Sequence, residues 1–303
     1  MTSKTKDHPF KNHQMPLTMR LFFSATTFTF KILGIVTPSL AGKLALRMFM
    51  TPPNFGIPRR ERKYREEATL SYLNSRGRNI SIRSWGNMDG KRVLLSHGWG
   101  GRCTQLHAFI KPLTDAGYRV IGFDVPGHGD SEGKLTNILD VASIISAIEE
   151  KEGEFEAIIG HSFGTGTALL AIDKFKVKPN KVILIAYFSD VHFIIKLFGE
   201  LFSLRKSTLD SMQHIALKKF KNTYDVSWDW DEISPINTIK SVKGKLLLIH
   251  DKEDHEVPYS QALPLQQASP HAKTLITTGF GHRKILMNKE CISSILLFIS
   301  EAN

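Results

Sequence analysis

The chain changes hydrophobic rhythm near residue 68. Downstream, residues 69–74 and 79–85 alternate apolar and polar side chains around Ser75-Arg76-Gly77-Arg78, which predicts an antiparallel hairpin. Short apolar runs then alternate with stretches of helical period. The runs at 92–96, 118–123, 155–159, 181–187, 245–249 and 272–277 predict strands. The stretches at 104–116, 137–151, 165–175, 260–267 and 285–300 predict helices. Repeated strand–helix alternation predicts an α/β fold, a mostly parallel central sheet flanked by helices. Right-handed crossovers then gather the C-terminal strand ends on one edge, where sites in such folds form.

Two regions break the rhythm. Residues 189–235 hold apolar helical stretches at 191–204 and 209–220 and a Trp228-Asp229-Trp230 cluster, without the βα period. Inserted at a C-terminal strand edge, this segment is expected to form a helical cap over the site. Upstream, residues 1–16 are polar, carry His8-Pro9 and Met15-Pro16 as breakers, and are expected to lack fixed structure. Residues 17–36 predict a helix with four Phe, interrupted by Arg20, Lys31 and five Ser/Thr. Its length suffices to cross a bilayer, but a lysine well inside costs ~2.5–3.5 kcal/mol of insertion. Thr37-Pro38-Ser39 predicts a stop and a new N-cap, and residues 40–50 a second helix. Arg59-Arg60-Glu61-Arg62-Lys63 reads as a solvated face or linker.

The charge sharpens that division. Residues 1–70 hold 12 Lys+Arg against 4 Asp+Glu, and the rest hold 28 against 25, out of a net +11. The basic excess therefore belongs to the N-terminal segment. It has no nucleic-acid-binding motif beside it, so no nucleic-acid partner is expected. Basic residues among apolar helices fit peripheral membrane contact through residues 17–50, or packing of those helices on the core. Two cysteines, Cys103 and Cys291, exclude a disulfide framework and fit a reducing, cytoplasmic compartment. His and Cys residues lack metal-ligand spacing, so neither metal nor cofactor is expected. Oligomeric state leaves no mark in the sequence.

The candidate chemistry lies at strand ends. The run at 155–159 leads into Gly160-His161-Ser162-Phe163-Gly164 and then a helix, the strand–turn–helix setting of a G-x-S-x-G elbow. Small residues two positions either side let a strained turn push the serine hydroxyl outward. A serine needs an imidazole to take its proton and a carboxylate to orient that imidazole. Asp254 and His282 follow the strands at 245–249 and 272–277, giving the order Ser…Asp…His. Asp251 and Glu253 share the acid loop, and Asp190 follows the preceding strand. The N–H groups of Trp99, in His97-Gly98-Trp99-Gly100-Gly101, and of Phe163 suit an oxyanion hole. His97, His128 and His161 read as structural, and Cys103 as a packing residue.

With these motifs in view, the chain from about Leu70 onward resembles the α/β-hydrolase superfamily, in particular its serine esterase and lipase members. The elbow, the His97-Gly98 loop, Asp124-x-Pro126-Gly127-x-Gly129-x-Ser131, Asp254-x-x-Val257-Pro258 and Gly281-His282 carry the resemblance. It implies an α/β-hydrolase fold divided into an N-terminal helical extension (1–68), a core in two parts (69–188 and 236–303) and a cap insertion (189–235). It also implies Ser162 as nucleophile, His282 as base, Asp254 as acid, and Trp99 and Phe163 as oxyanion donors. The expected activity is hydrolysis of a carboxylic ester-type, small-molecule acyl substrate, and some of the apolar run Phe193, Ile194, Leu197, Phe198, Leu201 and Phe202 are expected to line an acyl pocket above Ser162. Thioesterase, acyltransferase and aminopeptidase chemistry use the same residues, and a non-catalytic binding protein is the alternative from another class. Thr165, where many relatives carry glycine, departs from the pattern and alters packing behind the serine.

Overall fold

The structure, a computed structural model, describes residues 17–302; the expectation for residues 1–16 lies outside them. Helices α1 (Leu17–Val36), α2 (Pro38–Phe49) and α3 (Arg59–Glu66) precede the hairpin β1 (Thr69–Ser75) and β2 (Arg78–Trp85). Then come β3 (Arg92–Ser96), α4 (His107–Asp115), β4 (Arg119–Phe123), α5 (Ile138–Glu152), β5 (Phe155–His161), α6 (Phe163–Phe175) and β6 (Lys181–Ile185). Helices α7 (Val191–Leu201), α8 (Lys206–Tyr224) and α9 (Pro235–Thr238) follow. The chain ends with β7 (Lys245–Asp251), α10 (Ala262–Ala268), β8 (Lys273–Thr277), α11 (Gly281–Lys284) and α12 (Lys289–Ser300).

The eight strands form one sheet in the order β1-β2-β4-β3-β5-β6-β7-β8. Strand β2 is antiparallel to both neighbours, and β4 through β8 pair in parallel. This is the α/β architecture expected from the alternation. Register explains why it is stable. Leu95, Ile159, Ile183 and Leu247 line up as one row across β3, β5, β6 and β7. That row is buried with Phe109, Leu113, Ile295 and Phe298 of α4 and α12. The alternating row, Leu94, Ile158, Val182 and Leu246, is buried as well. Both faces are therefore apolar, as a helix-covered parallel sheet requires.

Several helix boundaries differ from the expectation. The stretch at 104–116 opens with a 3₁₀ turn, Cys103–Leu106, before α4 begins. The first break after α1 leaves Pro38 as the first residue of α2, a position where its missing N–H costs nothing. The C-terminal helix begins at Lys289, because the Asn288 side chain accepts hydrogen bonds from the Glu290 and Cys291 amides.

The chain divides into two compact units. One contains the sheet, from Met50 to Val191 and from Trp230 onward. In it, the chain leaving β6 and the chain returning toward β7 are tied together: Val191 N–H donates to Ser234 Oγ (3.1 Å) and Ile236 N–H to Ser189 O (2.9 Å). The other unit combines the described residues up to Phe49 with His192–Asp229. Its centre is aromatic. Phe23 stacks on Phe202 at 5.5 Å, and Phe49 meets Phe198 edge-on at 5.2 Å. Gly42 lets α2 approach α8 closely, since a Cβ there would lie 2.9 Å from the Met212 backbone nitrogen. Residues 17–49 therefore take the helices of residues 192–229 as their packing partners.

The charge run at 59–63 is a correction to the sequence reading. It opens α3, and Glu61 is buried. Glu61 Oε2 accepts from Arg102 Nη1 (3.1 Å) and Thr104 Oγ1 (2.8 Å), while Arg102 Nη2 also donates to Phe55 O (2.7 Å). The run is thus pinned to the loop after β3 by a buried ion pair. Glu61→Ala leaves the Arg102 guanidinium buried without its carboxylate and should destabilise the sheet unit by about 3 kcal/mol. Glu61→Gln, which keeps an acceptor for Thr104, should lose less; urea unfolding midpoints measure both.

Candidate active site

Five residues singled out from the sequence, Trp99, Ser162, Phe163, Asp254 and His282, follow four strands, β3, β5, β7 and β8, at the C-terminal strand edge of the sheet unit. Strand β5 ends in the elbow, where Ser162 has φ 52° and ψ −116°. A non-glycine residue holds that conformation only when its surroundings enforce it. The surroundings here are close. A Cβ on Gly160 would lie 2.7 Å from Gly164 O, and one on Gly164 would lie 2.1 Å from Ser96 O. The Ser162 side chain makes no capping bond to α6, which leaves its hydroxyl for another partner. Thr165 turns out to brace the elbow: its hydroxyl donates to Ser162 O at 2.6 Å.

That other partner is His282. Ser162 Oγ lies 2.9 Å from His282 Nε2, and His282 Nδ1 lies 2.7 Å from Asp254 Oδ2. Ionised Asp254 can only accept, so Nδ1 carries the proton and Nε2 presents its lone pair to the serine hydroxyl. Asp254 Oδ1 in turn accepts from the Glu256 (2.9 Å) and Val257 (2.8 Å) amides, which fixes the carboxylate. Asp254 and His282 are buried, whereas Ser162 is half-buried. A proton can therefore leave the hydroxyl along a fixed path while the oxygen remains open to a reactant.

Trp99 and Phe163 come together beside the serine, their rings edge-to-face at 5.2 Å. Phe163 is the first residue of α6, whose first-turn amides have no partner inside the helix. The other candidate acids lie elsewhere. Asp190 accepts from Ser234 Oγ at 3.2 Å, and Glu253, like His255, is exposed.

Histidines brace the loops around this arrangement. His97 Nδ1 donates to Gly98 O (2.8 Å) and its Nε2 accepts from Val125 N–H (3.1 Å). His128 Nε2 accepts from Gly100 N–H at 3.0 Å. Burial, with His128 nearby, pushes the His97 pKa down to about 3. Both rings are therefore neutral struts between the loops after β3 and β4. His161 Nε2 donates to the His282 backbone carbonyl at 2.9 Å, and burial holds its pKa well below the usual imidazole value. Its role as a support for His282 was not legible in the sequence, because the two residues are 121 positions apart. Cys103 is buried, with its thiol pKa pushed up by burial, and is free, as is Cys291. Among the described residues no group of three His, Cys, Asp or Glu side chains is placed to hold a metal ion.

Asp251 is the other support that sequence reasoning missed, having noted it only as a rival acid. Its Oδ2 accepts from Thr277 Oγ1 (2.7 Å) and Phe280 N–H (3.1 Å), and its Oδ1 from Glu253 N–H (2.9 Å). It thereby ties the end of β7 to the loop that carries His282. Burial pushes its pKa up, but hydrogen bonds from Thr277 and from the Gly281, Glu253 and Phe280 amides outweigh it and hold the carboxyl below its ordinary value. A depressed folded pKa contributes stability that is complete above the ordinary carboxylate range and lost as pH falls through the folded value. Asp251→Asn should cost about 2 kcal/mol near neutral pH. It should also flatten the stability loss below about pH 4. Melting temperatures across pH 2–7 measure both effects.

Two family models match the chain, one described as alpha/beta hydrolase fold over residues 91–199 and one as TAP-like protein over residues 222–298. Among curated proteins, the dihydrolipoyllysine-residue acetyltransferase component of the acetoin cleaving system of Cupriavidus necator is 33% identical over 133 residues, 42% of this chain and 34% of that protein. The lysophosphatidylserine lipase ABHD12 of Gallus gallus is 23% identical over 263 residues, 73% of this chain and 64% of that protein. The chain thus spans between a third and two thirds of the length of these relatives. In fold it resembles an Acinetobacter baumannii structure described as a putative lipase (TM-score 0.59, 17% identity, 82% of this chain and 98% of that one). A Pyrococcus furiosus esterase is similar to the same degree (TM-score 0.59, 18% identity, 82% and 96%). The first family model contains the serine elbow and the second contains both Asp254 and His282, so the two segments are parts of one fold, and the chain belongs to the α/β-hydrolase superfamily.

Proposed function

We propose that the protein is a serine hydrolase that cleaves carboxylic ester-type acyl substrates through an acyl-enzyme. The observation that carries this reading is the continuous hydrogen-bonded path Ser162 Oγ–His282–Asp254, with steps of 2.9 and 2.7 Å. In this mechanism His282 takes the Ser162 proton as the oxygen attacks the acyl carbon, and Asp254 stabilises the imidazolium. The Trp99 and Phe163 amides would hold the oxyanion, with the N-terminal end of α6 adding its favourable dipole. The imidazolium then protonates the leaving alkoxide. Water, deprotonated by the same imidazole, releases the acid and restores the serine. The reaction places no demand on a metal or cofactor. Free, buried Cys103 and Cys291 support a reducing, cytoplasmic compartment.

Lipase and esterase names among the relatives favour an ester substrate. The acetyltransferase name of another relative favours a second reading, in which the same acyl-enzyme passes its acyl group to an acceptor other than water. The two share every step up to deacylation.

A fluorophosphonate probe should label the wild-type protein at Ser162 and leave Ser162→Ala unlabelled. Turnover of a soluble p-nitrophenyl ester should fall by about 10³-fold or more in Ser162→Ala and His282→Ala, with the double variant little worse than either single. Ester turnover at the wild-type rate in Ser162→Ala would falsify the mechanism. Product analysis with added alcohol or thiol acceptors separates hydrolysis from transfer.

A further inference from the structure

Helix α1 has two apolar faces and, among the described residues, a protein neighbour on only one. Phe23, Phe30 and Gly34 form the first: both phenyl rings meet Phe202, and Gly34 approaches the Thr208 and Arg205 side chains. On the side turned away, Leu17, Leu21, Phe28, Ile32 and Ile35 fall within about 60° of one another around the helix. Their exposures are 68, 60, 65, 47 and 62%. Leu40 and Leu44 extend the exposed apolar surface onto α2. Isolated exposed leucines are ordinary, but a contiguous stripe about five turns long is not.

The charge around the stripe points to its occupant. Arg20 and Lys31 lie along one edge of it on α1, and Lys43 stands beside Leu40 and Leu44 on the exposed face of α2. Between Asp7 and Glu61 the chain contains no acidic residue. An apolar face edged by cations is the pattern of a helix lying in the plane of an anionic lipid surface. A second copy of the same face would bring the cations of both copies together, which disfavours self-association.

Helix α1 is long and apolar enough to cross a bilayer by length and composition. Crossing would strip Phe23, Phe30 and Gly34 from α8 and the α7–α8 turn, and would draw Lys31 into hydrocarbon. Lying in the interface keeps both the packing and the charge. We infer that the exposed faces of α1 and α2 dock the protein peripherally on an anionic lipid surface, with α1 in the membrane plane.

The test uses the full chain and vesicles of phosphatidylcholine, with and without added phosphatidylglycerol. The protein should sediment with the anionic vesicles at low salt and dissociate as salt rises. Arg20→Gln with Lys31→Gln should weaken that binding about 30-fold. The combination Leu21→Ser, Phe28→Ser and Ile32→Ser should abolish it, while melting temperature and turnover of a soluble ester stay at wild-type values. Protein that remains in the supernatant with anionic vesicles at low salt overturns the inference. So does binding that survives the triple serine substitution. A dimer that the triple substitution converts to monomer, without lipid binding in the parent, assigns the face to a second copy and overturns it equally.

Discussion

The site depends on one strained peptide. Ser162 can hold a positive φ only because Gly160 and Gly164 allow the turn to close against the end of β3, with Gly164 packed on the Ser96 carbonyl. Such strain costs on the order of 1–3 kcal/mol. It is sustained by the sheet itself, where β5 sits between β3 and β6 and is buried along its whole length. The same closure sets the start of α6 directly behind the hydroxyl. Position, exposure and local field at Ser162 are thus consequences of a single backbone geometry.

Around the elbow, buried polar groups do what apolar packing cannot. A loop must satisfy its own amides, and at this edge of the sheet side chains supply many of the acceptors. His97 and His128 serve the loops after β3 and β4. Asp124 accepts from the Cys103 and Asp130 amides, at 2.8 and 2.9 Å, and so links those two loops again. Asp251 serves the loop after β8. Burial lowers the pKa of the His97 and His128 rings, and hydrogen bonds hold the Asp251 carboxyl below its ordinary value. Gly129 shows how tight the arrangement is, since a Cβ there would overlap the Asp124 carboxylate at 2.2 Å. These contacts hold Trp99 and His282 in place by geometry rather than by bulk.

The N-terminal helices obey a different constraint. Their apolar content exceeds what one packing surface requires, and the structure accounts for half of it. Phe23, Phe30 and Phe49 join Phe198 and Phe202 in an aromatic core shared between segments more than 140 residues apart. The remainder faces outward on α1 and α2, in a stretch without acidic side chains. That coincidence of apolar surface and positive charge is what the proposed docking on an anionic lipid surface rests on.

The sequence alone determined the alternation of strands and helices, the elbow, and the order Ser…Asp…His. These are local patterns: period 2 against 3.6, glycine where a turn closes, and motifs placed at the ends of apolar runs. It also determined that the basic excess belongs to the first 70 residues. What it could not give were pairings between distant segments. The charge run at 59–63 has the composition of a solvated helix, and only the tertiary structure shows Glu61 buried against Arg102. Asp251 and Asp254 share one loop in the linear sequence, where the motif favours Asp254; the fold turns Asp251 toward Thr277 and Asp254 toward His282. His161 supports His282 through a carbonyl 121 residues away. Nor did hydrophobic periodicity say whether residues 17–49 meet the sheet or the helices at 192–229, because periodicity records that a face is apolar and not what covers it. Only close packing in three dimensions, as of Gly42 on the Met212 backbone, selects the partner.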